Sequence, residues 1–309
     1  MNAEVVHIAK AGVMKKIKDY LQLVKLSLSI MVVFSSVISF MLAPGFEKYV
    51  GERWKWVLLL FIGGMLVTGS ANAINQVVEK DTDALMKRTA KRPVASGRMS
   101  VQEGWAFAII TGVAGVLILA LYFNVLSAVL AFISLFLYAF IYTPLKKINS
   151  IAVLVGAIPG ALPCLIGWAA GQGELTTDGW VLFGIQFLWQ FPHFWAIAWI
   201  AHADYTTAGF RLLPSDKGPT KFTAMQTVIY SLLLLPVTLI PFYTELCSYD
   251  DIKGMIGLVL VVLANFFMIG RCIALYQKMD VPSARRVMFG SYIYLPVVLL
   301  ALLLAKAVG

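Results

Sequence analysis

The sequence predicts an all-α, polytopic membrane protein: nine transmembrane helices in a bundle around a central cavity, with cytoplasmic cap loops. Three observations predict it. Hydrophobic residues make up 60% of the chain and charged residues only 13%, and the mean hydropathy is +0.82, outside the range of soluble globular domains. Apolar runs close to the bilayer-spanning length of about 20 residues recur along the chain. Basic residues divide unevenly between alternate loops: with the N-terminus inside, 20 of the 25 Lys and Arg fall on the inner face, as expected of cytoplasmic segments in the plasma (inner) membrane. The net charge of +9 is therefore mainly a topology signal; it also favours anionic lipid or diphosphate, and no stretch resembles a nucleic-acid module.

The elements follow in order. Residues 1–24 lack the apolar core and cleavage site of a signal peptide, so no leader need be removed; they read as an amphipathic cytoplasmic segment at the membrane surface. Spans are expected near 26–43, 55–74, 104–122, 125–143, 150–170, 179–200, 222–243, 254–275 and 287–305, all within a single domain covering 1–309. Pro44-Gly45 ends the first, and Trp54 and Trp56 mark an interface at the second. The fifth holds Gly156, Pro159, Gly160, Pro163 and Gly167, a density that implies a kink, close helix contact or backbone lining a cavity. The sixth carries Gln190, Pro192 and His193. An ionisable residue at membrane depth is a functional suspect, although such a histidine can equally bond a backbone carbonyl in a packed interior. Cys164, Cys247 and Cys272 form no CxxC pair and read as small apolar fillers.

The most charged run, residues 72–97, follows the second span. Asn75, Glu79 and Asp83 recur every four residues; on a helix that spacing drifts by only about 40° per step, so the three share a face while Asp81 points away. Lys87, Arg88, Lys91 and Arg92 follow. An amide and two carboxylates with cations behind suit Mg²⁺ shared with a phosphate, although a solvated helix with i,i+4 ion pairs reads the same way. Lys146 and Lys147 after the fourth span serve as positive-inside anchors or as further phosphate-directed cations. Asp204, emerging after the sixth span, would complete the oxygen set if the loops converge. A polar head site over an apolar bundle fits an amphiphilic diphosphate.

The pattern N-x-x-x-E-x-x-x-D then M-x-R-T-x-x-R-P, from Asn75 to Pro93, resembles the first motif of the UbiA-type intramembrane prenyltransferases. Within that superfamily the chain resembles the protohaem IX farnesyltransferase (haem O synthase) branch through Tyr142-Thr143 with Lys146-Lys147, GAIPGALPCLIGWAA (156–170), WQFPHFWAIAW (189–199) and DYTTAGFRLLP (204–214). The resemblance runs from about residue 20 to 300. It implies farnesyl transfer from farnesyl diphosphate to a vinyl group of haem B with addition of water, giving haem O, which a downstream haem A synthase could take up. It implies Mg²⁺ on Asn75, Glu79, Asp83 and Asp204, diphosphate on Arg88, Arg92, Lys146 and Lys147, and haem oriented by His193, with Gln190 and His202 as weaker candidates. The chain departs from other branches at Ala208, where they carry the second Asp of D-x-x-x-D, and at Pro163-Cys164, where Pro-Pro is common. Two alternatives are a prenyltransferase acting on an aromatic quinone precursor and a membrane transporter, which would need a midplane site.

Overall fold

The structure, a computed structural model, describes residues 3–215 and 217–307, with side chains from residue 13 onward. Positions 1 and 2 of the expected amphipathic segment lie outside the described residues. All the helices are connected by turns and short loops, in the order α1 (Ala3–Leu23), α2 (Leu26–Leu42), α3 (Arg53–Val78), α4 (Lys80–Leu85), α5 (Val101–Tyr122), α6 (Val125–Phe136), α7 (Thr143–Leu145), α8 (Ala152–Gln172), α9 (Thr177–Ile200), α10 (His202–Thr207), α11 (Lys221–Tyr243), α12 (Ile252–Lys278) and α13 (Val281–Leu304). Among the described residues eight spans are long and apolar enough to cross a bilayer, with α6 and α7 joined into one of them; residues 13–23 and α2, bent by 49°, make a ninth when counted as one span. Eight of the nine expected spans are matched with ends shifted by a few residues, and the first, expected over 26–43, reaches spanning length only together with residues 13–23.

The spans close into a ring. Each packs on its neighbours in sequence, and α2 meets α13 to join the first span to the last. α8 and α9 lie innermost, with α8 also against α2 and α9 also against α13. Lipid-facing positions on α5 and α12, such as Ile110, Leu121, Val259 and Phe266, are exposed apolar side chains, as a bilayer solvent requires.

Two ends of the bundle are chemically distinct. At one, Lys16 pairs with Glu103, Arg98 with Asp19, and the Arg211 amide donates to the Lys146 carbonyl. At the other, Tyr49 donates to the Ala170 carbonyl, Asn124 to that of Ala169 and Lys306 to that of Met41, and Thr244 donates to Asp178. The acidic run, the Lys146 loop and the 201–220 loop therefore share the first end.

The Pro/Gly-rich α8 is a continuous helix in close contact with its neighbours. Pro163 has no N–H, which leaves the Pro159 carbonyl without its helical donor; the Ser134 hydroxyl supplies one at 3.1 Å. Gln186 and Gln190 donate to the Gly160 and Ala157 carbonyls, so Gln190 works as a strut between α9 and α8. A Cβ on Gly167 would run into the Ser36 carbonyl oxygen; glycine is what lets α2 and α8 touch.

Candidate active site at the basic end of the bundle

The helical face expected over Asn75, Glu79 and Asp83 is interrupted. α3 ends at Val78, Glu79 sits at φ −95°, ψ 12°, and α4 begins at Lys80. The hydrogen-bond ladder still runs across the join, Glu79 N to Asn75 O at 3.0 Å and Asp83 N to Glu79 O at 2.7 Å. All three side chains therefore line one cavity of about 310 Å³. Asp81, by contrast, is 91% exposed.

Each member of that trio meets a cation. Lys25 Nζ donates to Asn75 Oδ1 at 3.0 Å. Lys146 Nζ lies 2.6 Å from Glu79 Oε1 in a buried ion pair. Arg92 Nη1 donates to both Asp83 oxygens at 2.7 and 2.8 Å. Asn75 Nδ2 in turn bonds Glu79 Oε2 at 2.8 Å. Burial pushes the Asp83 carboxyl up, with Arg92 opposing, and pulls Lys146 down, with Glu79 opposing. Four cations (Lys25, Arg88, Arg92, Lys146) against two carboxylates leave the lining with two positive charges in excess, a surface built for an anion.

The two loops converge, though not through Asp204. Arg88 Nη2 donates to Tyr205 Oη at 2.9 Å, and Met86 packs with Phe210 in one buried cluster. Tyr205 and Phe210 line the cavity, whereas Asp204, half-buried on α10, does not. A helical turn can aim only one of two adjacent residues inward, and the aromatic one takes that place. Among the described residues no group of three His, Cys, Asp or Glu side chains is placed to hold a metal; two carboxylates and an amide oxygen are what converge.

Lys147 is also separated from the set. It is exposed and lines a neighbouring groove with His202 and Arg211, because its helix turns Lys146 inward. His193 lies in neither cavity. Its Nδ1 is 2.7 Å from Ser291 Oγ, and that hydroxyl spends its proton on the Met288 carbonyl, so the ring nitrogen is the donor. Trp189 stacks on the imidazole at 4.8 Å.

Sequence reasoning missed two lining groups. Lys25 lies just ahead of the first expected span; its backbone is left-handed at φ 49°, a conformation that costs a non-glycine residue about 1–2 kcal/mol, at the bend between α1 and α2. Tyr138 and Tyr142 are presented by a π-helical segment, Leu137–Tyr142, a local unwinding that often marks functional positions. Only the Tyr-x-x-x-Tyr spacing before Thr143-Pro144 hinted at it.

The sequence pattern of the UbiA prenyltransferase family matches residues 32–306. The chain belongs to that family. It is 41% identical over 287 residues to a protoheme IX farnesyltransferase of Cytophaga hutchinsonii, covering 93% of this chain and 97% of that one. It is 40% identical to the namesake of Flavobacterium psychrophilum, over 93% and 94% of the two chains, and 34% identical to the mitochondrial one of Arabidopsis thaliana, over 93% and 64%. Solved UbiA-type folds superpose well: a digeranylgeranylglyceryl phosphate synthase at TM-score 0.75 and 20% identity, covering 94% and 98%, and a UbiA homologue of Archaeoglobus fulgidus bound to GPP and Mg²⁺ at 0.67 and 14%, covering 92% and 99%. At those identities the superpositions establish the UbiA fold.

Proposed function

We propose that this chain transfers a farnesyl group from farnesyl diphosphate to a vinyl group of haem B, with addition of water, giving haem O and diphosphate. The observation that carries the reading is the polar cavity, rich in cations around an Asn-Glu-Asp trio, set in a bundle of apolar spans. The relatives' name supplies the acceptor.

The donor set fits a hard cation. Asn75, Glu79 and Asp83 converge on one cavity with oxygen ligands, and Mg²⁺ is commonly held by one or two carboxylates plus substrate phosphates. Bound there, Mg²⁺ would neutralise charge on the diphosphate as the C1–O bond breaks. Asp204 stays outside the set and acts on Arg88 as a nearby charge.

The chain's own groups do the rest. Lys25, Arg88, Arg92 and Lys146 bind the diphosphate, which leaves with the electron pair of the C1–O bond. Tyr138 and Tyr142, which line the same cavity, shield the allylic cation from water and offer it their ring faces. The vinyl terminal carbon bonds to C1; water then adds to the neighbouring carbon and loses a proton. The basic end faces the cytoplasm on the charge distribution, and a haem A synthase is the fitting consumer of the product.

Purified protein incubated with haem B, farnesyl diphosphate and Mg²⁺ should yield a haem heavier by farnesyl plus hydroxyl, and none with EDTA. Prenylation of an aromatic acid in place of haem would overturn the reading.

A further inference from the structure

The diphosphate chemistry leaves one groove unused. It adjoins the polar cavity, holds about 530 Å³ and is lined by the end of α9, by α10, by the 209–215 turn and by Lys147. Small-molecule sites run from roughly 300 to 1,000 Å³, so the groove has the size of one.

Local rules build its rim. Gly209, left-handed at φ 74°, ends α10: the Phe210 amide donates to the Tyr205 carbonyl at 2.8 Å and the Gly209 amide to that of Thr206 at 3.0 Å, the paired bonds by which a helix stops and its chain reverses. The reversal brings the Arg211 amide to the Lys146 carbonyl at 2.8 Å, so Arg211 stands beside the Lys146-Lys147 turn. Lys147 and Arg211 are both exposed. Among the described residues neither joins an ion pair, and no carboxylate lines the groove. Two neighbouring cations without counter-charges favour a ligand with two negative groups. The floor is of another kind: Ala198, Phe210 and Leu213 are buried apolar side chains. A cationic rim over an apolar floor fits a flat apolar molecule that carries two carboxylates along one edge.

The groove also borders the chemistry. Tyr205, Phe210 and Leu212 line it and the polar cavity alike. The Tyr205 hydroxyl accepts from Arg88, and Lys146 Nζ stands 5.2 Å from the centre of the Phe210 ring. An aromatic wall is what lies between the groove and the cations that hold the diphosphate.

We propose that Lys147 and Arg211 bind the two propionates of the porphyrin acceptor, with the macrocycle lying on the apolar floor. The inference rests on the haem reading above for the identity of the dicarboxylate. In protohaem the vinyl groups occupy the edge opposite the propionates. Holding the carboxylates at the rim leaves the vinyl edge free to turn toward the wall shared with the polar cavity. Lys146 and Lys147, adjacent in sequence, then serve different substrates, one the diphosphate and the other the acceptor.

The test is a Soret titration of the full chain in phosphatidylcholine nanodiscs, without farnesyl diphosphate, comparing haem B with its dimethyl ester, in which both carboxylates are neutral. The parent should bind haem B at least tenfold more tightly than the diester. Lys147→Gln with Arg211→Gln should bring the two within about twofold by weakening haem B and leaving the diester unchanged, and Lys147→Arg should keep the parent's preference. Farnesyl diphosphate binding at the parent's affinity reports that each variant is folded. A parent-like preference in a double variant that still binds farnesyl diphosphate overturns the inference, as does equal loss of haem B and diester. Loss of the parent's preference when phosphatidylglycerol is added assigns the groove to a lipid headgroup and overturns it too. A parent that makes haem O yet does not distinguish haem B from its diester rejects this inference alone; a parent that binds neither porphyrin and prenylates an aromatic acid rejects the acceptor reading and this inference with it.

Discussion

Asp83 is both a proposed metal ligand and the counter-charge of Arg92. Its carboxylate is 1% exposed and accepts two hydrogen bonds from Arg92, itself 23% exposed. Asp83→Ala therefore leaves a mostly buried guanidinium without its counter-charge. Breaking a buried pair costs about 3–5 kcal/mol; partial access of water to Arg92 puts this one nearer 2–3 kcal/mol. Turnover should also fall by about a hundredfold or more, from loss of charge stabilisation at the leaving group. The assay is thermal unfolding in detergent alongside single-turnover prenyl transfer, for Asp83→Ala, Arg92→Ala and the double variant. Stability should largely return in the double variant, because no charge is then stranded, while activity should not. Asp81→Ala should change neither. The reasoning is refuted if Asp83→Ala unfolds at the parent temperature, or if the two single costs simply add.

Lys25→Met should weaken farnesyl diphosphate binding about tenfold or more, the worth of one charge-assisted hydrogen bond; parent-like affinity by titration would remove Lys25 from the site. His193→Gln should keep haem O formation within a few-fold of the parent, since the ring is engaged with Ser291 outside both cavities; loss of a haem Soret shift in the variant would restore it as a haem ligand. Gly167→Ala should destabilise by about 1–3 kcal/mol through the clash with the Ser36 carbonyl, read as a lower unfolding temperature; no change would mean α2 can yield there. Single cysteines at positions 87 and 217 should be labelled only from the cytoplasmic side and one at 174 only from outside; labelling of 87 and 217 from opposite sides would contradict the shared end.

The sequence by itself determined the bilayer as solvent, the nine spans and the end of the bundle that carries the chemistry. Those follow from composition, run length and loop charge, properties that a residue carries wherever it is placed. Asn75, Glu79 and Asp83 were legible for a related reason: their relation is local, and helical periodicity survives the break at Glu79. The partners of that trio were not legible. Arg92 closing back on Asp83, Lys146 on Glu79 and Lys25 on Asn75 join four separate segments, and no local rule says which cation meets which oxygen. The same limit governs Asp204 and Tyr205, or Lys146 and Lys147: adjacent residues diverge on a helix, and only packing decides which one turns inward. His193 shows the limit from the other side. Its polarity within a span marked it as special, but its Nδ1 partner, Ser291, is 98 residues away and invisible to any local rule.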